Sequence, residues 1–477
     1  MFFTECIIVA YSIILLGFIS FFIKEEYASS VLSFSLNNYS QIMISGIIFS
    51  LSFLDNFNYI SETNCFTKDY FSTFFQTVLT FTILYVIFAS KQYISIRLSY
   101  QQEYELLIII AFIGLLLVCF SSNLLIVYLA IELQSLIFYT LSAFQKNSEF
   151  SGEAGLKYFV LGSFSSGFLL FGFANIYLFT SAWSFESIQK ITFLFGDQIP
   201  PFFWGLLLIL TAFLFKQGAF PFHLWICDVY EGSPLSVTMF FVLIPKAVVF
   251  CLFVKIFFSV FGLYFTFWSS ICLFCGFSSI IVGNVAALYQ KKLKRLLAFS
   301  AVAHTGFILI SLCCFSTFSV KAFSFYFLLY IIMNSVFFSI VIISFSKQNF
   351  LKYLINWSDT SKRNYLLILA FSIVLFSTAG IPPLAGFYSK LLVFFALIQQ
   401  NFIILTILIS IFSCVGCYFY IRLIKTFFFQ NKNSTIWVLN KTKMPELLIS
   451  TNTLFLVTFL AYPDIVLYLT DLVSFFL

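Results

Sequence analysis

Four ionisable residues lie inside strongly apolar stretches of this 477-residue chain. Glu132 lies in LAIELQSLIFYTLSAF, and Lys390 lies in AGIPPLAGFYSKLLVF. Lys216 and Lys246 lie in FLFKQGAFPFHLWICDVYEGSPLSVTMFFVLIPKAVVF, on either side of a helix-breaking QGAFP and a short polar turn. A lysine at the centre of a membrane helix costs roughly 2.5–3.5 kcal/mol. We therefore interpret the four residues as parts of a proton or ion pathway.

The chemistry that these residue types support is reversible proton carriage. A buried lysine holds its proton less firmly than one in water, and a nearby carboxylate holds that proton on the lysine. A contact between a glutamate and a lysine that opens and closes would switch the lysine between proton-holding and proton-releasing states, as one coupled titration. His304, in LLAFSAVAHTGFILI, has two open interpretations: a relay between Lys246 and Lys390, or a packing histidine held by hydrogen bonds.

We interpret the other polar residues near the lysines, and the paired cysteines, mainly as structural. His223 lies at a span end, where an interfacial structural role is favoured over proton admission. Asp228 and Glu231 lie in the polar turn, where they either line an entry funnel or fix the turn, and we favour the second. Two CxxC pairs lie in apolar runs, where packing is favoured over redox or metal chemistry: Cys272/Cys275 and Cys414/Cys417.

The composition indicates a polytopic helical membrane protein. Hydrophobic residues make up 61% of the chain and charged residues 9%, and the mean hydropathy is +1.03. Soluble domains are about 25% charged. The apolar runs are continuous, as in membrane helices, and not alternating, as in membrane barrels. The net charge of +6 comes from basic residues scattered through loops, which excludes a basic face for nucleic acid.

The hydrophobic pattern predicts about fourteen transmembrane helices and no soluble domain between them. The first run follows the initial residues directly, without a basic leader, and reads as a retained helix. The 72 phenylalanines fit an AT-rich organelle genome. The predicted spans are 2–23, 32–53, 71–90, 104–120, 124–144, 156–181, 201–222, 234–261, 265–289, 296–315, 322–345, 365–398, 403–429 and 447–476.

The basic residues predict the topology. Most of the 25 lysines and arginines follow odd-numbered spans, which places those loops on the matrix-like side and both termini on the other. We place four lysines in loops after even-numbered spans: Lys68, Lys190, Lys255 and Lys321.

Two spans are interrupted by helix breakers beside a lysine. Gly218 and Pro221 follow Lys216 in span seven, and a Gly/Pro-rich GIPPLAG precedes Lys390 in span twelve. Interrupted spans at corresponding positions of two halves are typical of inverted-repeat transporters. Spans four to eight form one set of five helices, and spans nine to thirteen form another. Because five is an odd number, the second set is inverted relative to the first, and we predict two inverted repeats. The predicted segments are 1–103 (first three helices), 104–262 and 263–430 (the repeats), and 431–477 (C-terminal loop and helix).

Three stretches carry a family resemblance. FKQGAFPFHLWICDVYEGSPLSVTMFFVLIPKAVVF resembles the hallmark region of chain 2 of NADH:ubiquinone oxidoreductase (respiratory complex I), the bacterial N-type antiporter-like subunit. LKRLLAFSAVAHTGFILI and GIPPLAGFYSKLLVF resemble two further stretches, and the likeness covers at least 124–395. The chain departs from the family at Ile226–Cys227 and at Ser236, where the family usually has Thr–Pro and Pro.

The resemblance implies the function and the role of each charge. Glu132, Lys216, Lys246 and Lys390 match the glutamate and three lysines of a central hydrophilic axis for proton pumping. NADH, FMN, iron–sulfur clusters and ubiquinone are expected in partner subunits, and this chain has no cofactor or metal of its own. Neighbouring antiporter-like chains and lipids are the expected partners, in the mitochondrial inner membrane.

Three other functions remain open at this point. One is a stand-alone cation/proton antiporter of the same fold. Another is the homologous subunit of a ferredoxin-dependent chloroplast or cyanobacterial complex. The third is a purely structural scaffold.

Overall fold

A computed structural model describes residues 59–60, 65–97, 101–196, 201–344, 353–354, 365–429, 443–459 and 462–475. The predicted spans 2–23 and 32–53 lie outside these residues. The described chain is helical except for a short antiparallel pair, β1 (Tyr59–Ile60) and β2 (Thr67–Lys68).

The helices follow one another with short connections. In chain order they are α1 Tyr70–Arg97, α2 Gln101–Phe120, α3 Leu124–Ser142, α4 Glu149–Thr180, α5 Phe185–Phe195, α6 Phe203–Gln217, α7 Leu224–Gly232, α8 Leu235–Leu243, α9 Pro245–Phe253, α10 Phe265–Tyr289, α11 Leu293–Leu312, α12 Thr317–Ser344, α13 Tyr365–Ala379, α14 Ala385–Gln399, α15 Ile403–Phe429, α16 Lys443–Thr458 and α17 Asp464–Phe475. A π-helical stretch, Val254–Val260, extends α9, and a single 3₁₀ turn, Gly262–Tyr264, precedes α10.

Nine helical segments in the described part of the chain are long and apolar enough to cross a membrane. Four shorter apolar helices accompany them, at Phe203–Gln217, Leu366–Ala379, Ala385–Gln399 and Glu446–Thr458. These helices confirm the predicted all-α polytopic membrane protein. The count of fourteen helices and the two inverted repeats remain predictions.

Both predicted helix breaks are present beside their lysines. Helix α6 ends at Gln217, and Gly218 follows with φ +68°, a conformation that favours glycine. A Cβ at Gly218 would also collide with Ile226 in α7. Likewise, α13 ends at Ala379, and Gly380 follows with φ +81°. Each break therefore leaves a helix end among buried residues.

Three helical features differ from the sequence-based expectation. The predicted span 234–261 is divided at Pro245, which has no N–H to donate and begins α9. The predicted span 447–476 forms two helices, the second beginning after Pro463. Helix α5 was not predicted, because its apolar residues cover only one side.

The predicted loop position of Lys255 is wrong. Lys255 lies in the π-helical stretch with 6% of its surface exposed, and its Nζ donates to the carbonyl of Cys119 at 2.5 Å. Cys119 belongs to the last turn of α2, whose carbonyls have no partner within the helix. The lysine therefore caps a neighbouring helix from inside the protein.

Small residues allow the long helices to approach closely. A Cβ at Gly306 in α11 would lie 2.6 Å from the carbonyl oxygen of Gly276 in α10. A Cβ at Gly205 in α6 would lie 2.9 Å from the carbonyl oxygen of Gly172 in α4. Close backbone contact at small residues is the usual way in which membrane helices gain packing energy.

The close contact at Gly386 predicts that alanine substitutions at two glycines will differ in their effect on stability. In Gly386→Ala the new Cβ would collide with the main-chain carbonyl of Ser377, so we expect a loss of about 1–3 kcal/mol from overpacking. In Gly167→Ala the new Cβ meets nothing within 4 Å, so we expect no loss and a gain of up to about 1 kcal/mol from helix propensity. Thermal unfolding of the purified variants measures both, and equal melting temperatures would contradict the prediction.

Candidate functional site

Glu132 and Lys216 approach each other across the first part of the helical bundle. Glu132 lies in the middle of α3, partly buried, and accepts a hydrogen bond from Ser135 at 3.3 Å. Lys216 lies in the last turn of α6 and interacts electrostatically with Glu132. No ion pair within 4.0 Å joins Glu132 to a lysine in the described part of the chain. The two charges are therefore near neighbours without direct contact.

A small cavity lies beside Lys216. Its volume is about 20 Å³, enough for about one water molecule. Residues from α3, α4, α6, α7 and α9 line it, namely Gln134, Ser135, Phe138, Tyr139, Tyr158, Gly162, Ser165, Phe215, Lys216, Trp225, Pro245 and Val249. The cavity thus connects the surroundings of Lys216 with the first turn of α9, which carries Lys246.

Lys246 faces away from that cavity, towards α11 and α12. It lies in the first turn of α9, with 2% of its surface exposed. Its Nζ donates to the carbonyl of Ala301 at 3.2 Å and lies 5.7 Å from the ring centre of Tyr330. Lys246 therefore connects the region around Lys216 with the second half of the described chain.

His304 lies between two tyrosine hydroxyls. Its Nδ1 is 2.7 Å from the hydroxyl of Tyr326 in α12, and its Nε2 is 3.3 Å from the hydroxyl of Tyr420 in α15. The imidazole also lies 5.4 Å, centre to centre, from the ring of Tyr330, beneath Lys246. Hydroxyl and imidazole groups both donate and accept, so this trio forms a hydrogen-bonded path through the core.

Lys390 lies at the second helix break. Its Nζ donates to the carbonyl of Ala379 at 2.6 Å, where α13 ends. The ammonium lies 5.6 Å from the ring centre of Phe307. A Cβ at position 380 would lie 3.0 Å from the Lys390 Nζ, so Gly380 leaves room for the charge. The carbonyl end of a helix carries partial negative charge and stabilises a cation there.

Helix α11 contacts Lys246 and Lys390 and carries His304 between them. Ala301 accepts from Lys246, His304 binds the tyrosines, and Phe307 lies beneath Lys390. These residues are three apart and so lie on one side of the helix. The structure therefore brings Lys246, His304 and Lys390 together along α11, while Glu132 and Lys216 lie around the cavity.

Sequence reasoning missed the tyrosines. Tyr326 and Tyr330 are four residues apart in an apolar helix, a spacing that offered a signal. Tyr420 had no such signal, because its contact with His304 joins residues far apart in the chain.

The acids of the polar turn are held in ion pairs. Asp228 pairs with Lys157 of α4 at 2.8 Å and with Arg295 of α11 at 3.6 Å. Glu231 pairs with Lys292 and with Arg295. A cavity of about 130 Å³ lies among these residues. The pairs attach α7 to α4 and α11, which favours the predicted turn-fixing role.

His223 and the cysteines have packing contacts. His223 is 7% exposed and stacks on Phe220 with ring centres 5.8 Å apart, and burial lowers the pKa of this histidine, which lies between the membrane-spanning segments. Cys272 and Cys275 are buried in α10, and the Cys417 thiol contacts the Ala379 carbonyl at 3.2 Å. The cysteines of the described ranges are unbridged thiols.

The ion pairs of the turn predict an uneven effect of two neutral substitutions. Glu231→Gln removes the charge that joins α7 to both Lys292 and Arg295, so we expect a stability loss of about 1 kcal/mol. Glu153→Gln removes only an exposed pair with Lys157 within α4, and we expect almost no change. Melting temperatures of the purified variants measure the difference. Equal values would contradict the turn-fixing role of Glu231.

Comparison with known proteins shows which family the chain resembles. Residues 121–416 match the transmembrane family described as NADH:quinone oxidoreductase/Mrp antiporter. NADH-ubiquinone oxidoreductase chain 2 of Marchantia polymorpha is 40% identical over 369 residues, which are 76% of this chain and 74% of the relative. NADH-quinone oxidoreductase subunit N of Pelagibacter ubique is 32% identical over 414 residues, 86% of this chain and 87% of the relative.

Solved structures share the fold at lower identity. A chain of respiratory complex I from Thermus thermophilus, with bound Aureothin, superposes with a TM-score of 0.77 and 24% identity, over 98% of this chain and 99% of that one. A chain of the Mrp complex from Dietzia sp. superposes with a TM-score of 0.81 and 16% identity, over 99% and 97%. The chain belongs to the NADH:quinone oxidoreductase/Mrp antiporter family, among its chain 2 and subunit N members.

Proposed function

We propose that this chain translocates protons as a membrane-arm subunit of respiratory complex I. Electron transfer from NADH to ubiquinone in other subunits drives it, and the protons move along Glu132, Lys216, Lys246, His304 and Lys390. Glu132 modulates Lys216, which takes up the proton. Lys246 and His304 relay it, and Lys390 releases it.

The observation that carries this proposal is the hydrogen-bonded trio of His304, Tyr326 and Tyr420 beside Lys246. Lys246 reaches this trio through ring contacts, since its ammonium lies over the Tyr330 ring and that ring lies against the imidazole of His304. The Tyr330 hydroxyl has no hydrogen-bond partner in the described part of the chain. Every member from Lys246 to Tyr420 is buried. The imidazole and the two hydroxyls of the trio can exchange protons, and the apolar surroundings limit leakage into the membrane.

The partners of the lysines support reversible protonation. Lys246 and Lys390 donate to main-chain carbonyls, and neither has a carboxylate within 4.0 Å in the described ranges. A carbonyl accepts from a neutral amine as well as from an ammonium, so both protonation states keep a hydrogen bond. A direct carboxylate partner would hold the ammonium much more firmly.

The partners and location of the chain follow from the same proposal. NADH, FMN, iron–sulfur clusters and ubiquinone belong to partner subunits, and neighbouring antiporter-like chains and lipids surround this chain. The relatives from Marchantia polymorpha and Arabidopsis thaliana support an inner mitochondrial membrane location, with the gene in the organelle.

The likeness to the Mrp complex favours one second candidate, a cation/proton antiporter that works without a redox partner. A ferredoxin-dependent chloroplast complex is a related alternative. Purification from native membranes separates them, because complex I would bring its NADH-oxidising subunits and the antiporter would not.

Replacement of Lys216 tests the pathway. In Lys216→Met the carrier nearest Glu132 is lost, so we expect both proton pumping and NADH–quinone turnover to fall at least about tenfold, in membranes with the intact assembly. Lys190→Met removes an exposed lysine of α5 and serves as the matched control. Unchanged pumping and turnover in Lys216→Met would overturn the lysine pathway and favour the scaffold interpretation.

Replacement of Tyr420 tests the relay. Tyr420→Phe removes the hydroxyl that faces His304 Nε2, so we expect pumping to slow about tenfold because one step of the path is lost. Tyr418→Phe, in the same helix but 63% exposed, should leave pumping unchanged. The two variants are compared in proton uptake per NADH oxidised and in turnover. Wild-type rates in Tyr420→Phe would place the path elsewhere.

A further inference from the structure

A buried amide beside Lys216 is not explained by the pathway described so far. Gln134 lies in α3, two residues after Glu132, with 3% of its surface exposed. Its Oε1 has no hydrogen-bond partner within the described part of the chain. An amide oxygen that is buried without a partner destabilises the folded protein. A polar partner is therefore expected at this position.

The place for that partner is the cavity beside Lys216. Gln134 and Ser135 line one side, Lys216 another, and the volume of about 20 Å³ suits one water molecule. A buried water needs two to four polar contacts. The Lys216 ammonium supplies a donor, and the Gln134 Oε1 and the Ser135 hydroxyl supply acceptors.

Aromatic and apolar residues form much of the rest of the wall. The rings of Tyr158 and Trp225 stack with centres 4.9 Å apart and planes inclined by 6°. The Trp225 indole donates to the carbonyl of Phe215 at 3.1 Å, which fixes the ring against the cavity. Pro245 and Val249 of α9 also line the cavity and have no side-chain hydrogen-bonding group. A water here is held by a few defined groups.

We propose that Gln134 is a positioning residue that holds a bound water between Lys216 and the Ser135–Glu132 pair. The inference rests on the proposed function and names the step that joins the first two charges. Gln134 has no charge, so it orients the water without trapping the proton. It does not carry the proton itself.

The transfer balances as a relay of three protons. The Lys216 ammonium gives a proton to the water oxygen, and the N–H bond breaks as an O–H bond forms. The water gives a different proton to the Ser135 oxygen. The Ser135 hydroxyl lies 3.0 Å from the main-chain oxygen and 3.3 Å from the carboxylate of Glu132, and it passes its own proton to that carboxylate. Water and serine are restored, and the reverse sequence recharges Lys216.

High-resolution electron cryo-microscopy of the intact assembly tests the water directly. We expect wild-type density for a water within hydrogen-bonding distance of the Lys216 Nζ and the Gln134 Oε1. In Gln134→Leu, which keeps the side-chain size but removes the amide, that density should be lost. Absence of the water in the wild type would overturn the inference, whatever the variant does.

Rates provide the second readout. In Gln134→Leu we expect pumping and turnover to fall about tenfold and the solvent deuterium isotope effect on turnover to change, because the relay is interrupted. Gln134→Asn keeps an uncharged amide acceptor and should recover part of the rate. Gln189→Leu in α5, outside the cavity wall, is the matched control.

The outcomes separate this inference from the proposed function. If Gln134→Leu pumps at the wild-type rate while Lys216→Met is inactive, the water relay is wrong and the lysine pathway stands. If Lys216→Met is itself fully active, the proposed function fails. If Gln134→Leu does not assemble, the wild-type density and the rate of Gln134→Asn decide: no water in the wild type overturns the inference, and a water with a partly reduced rate in Gln134→Asn supports it.

Discussion

A buried ammonium needs an acceptor, and an unbroken helix offers few because its carbonyls are already used. Helix ends solve this problem, since their last carbonyls have no partner within the helix. Lys390 takes the Ala379 carbonyl at the end of α13, and Lys255 takes the Cys119 carbonyl in the last turn of α2. Lys246 takes the Ala301 carbonyl within α11, where the second lone pair is available. Helix ends therefore hold two of these three ammonium groups, and a shared carbonyl within a helix holds the third.

The contacts of the buried charges follow one another along helix α11. Its residues Ala301, His304 and Phe307 meet Lys246, two tyrosines and Lys390 along one face. The N-terminus of the same helix carries Lys292 and Arg295, which hold the polar turn that follows the broken helix of Lys216. One almost fully buried helix thus contacts the surroundings of all three lysines.

The sequence was sufficient for features that depend on neighbours in the chain. Apolar runs predicted the helices, and glycines predicted the ends of α6 and α13 because a positive φ excludes most side chains. It failed where distant residues decide. Lys255 looked like a loop residue, and only the end of α2 explains its burial. Gln134 and Tyr420 are ordinary polar residues in apolar helices until the cavity and His304 are seen beside them.

The hydrogen bonds from His304 to two tyrosine hydroxyls limit how often a proton can pass. A neutral imidazole has one N–H, so at any moment one ring nitrogen donates and the other accepts. When a proton enters at one nitrogen and another leaves from the opposite nitrogen, the ring ends in the other tautomer, and both hydroxyls point the wrong way for a second passage. Each passage must therefore be followed by rotation of Tyr326 and Tyr420, or by a flip of the ring. The trio therefore transfers one proton at a time, and its hydrogen bonds must be reoriented before the next proton can pass.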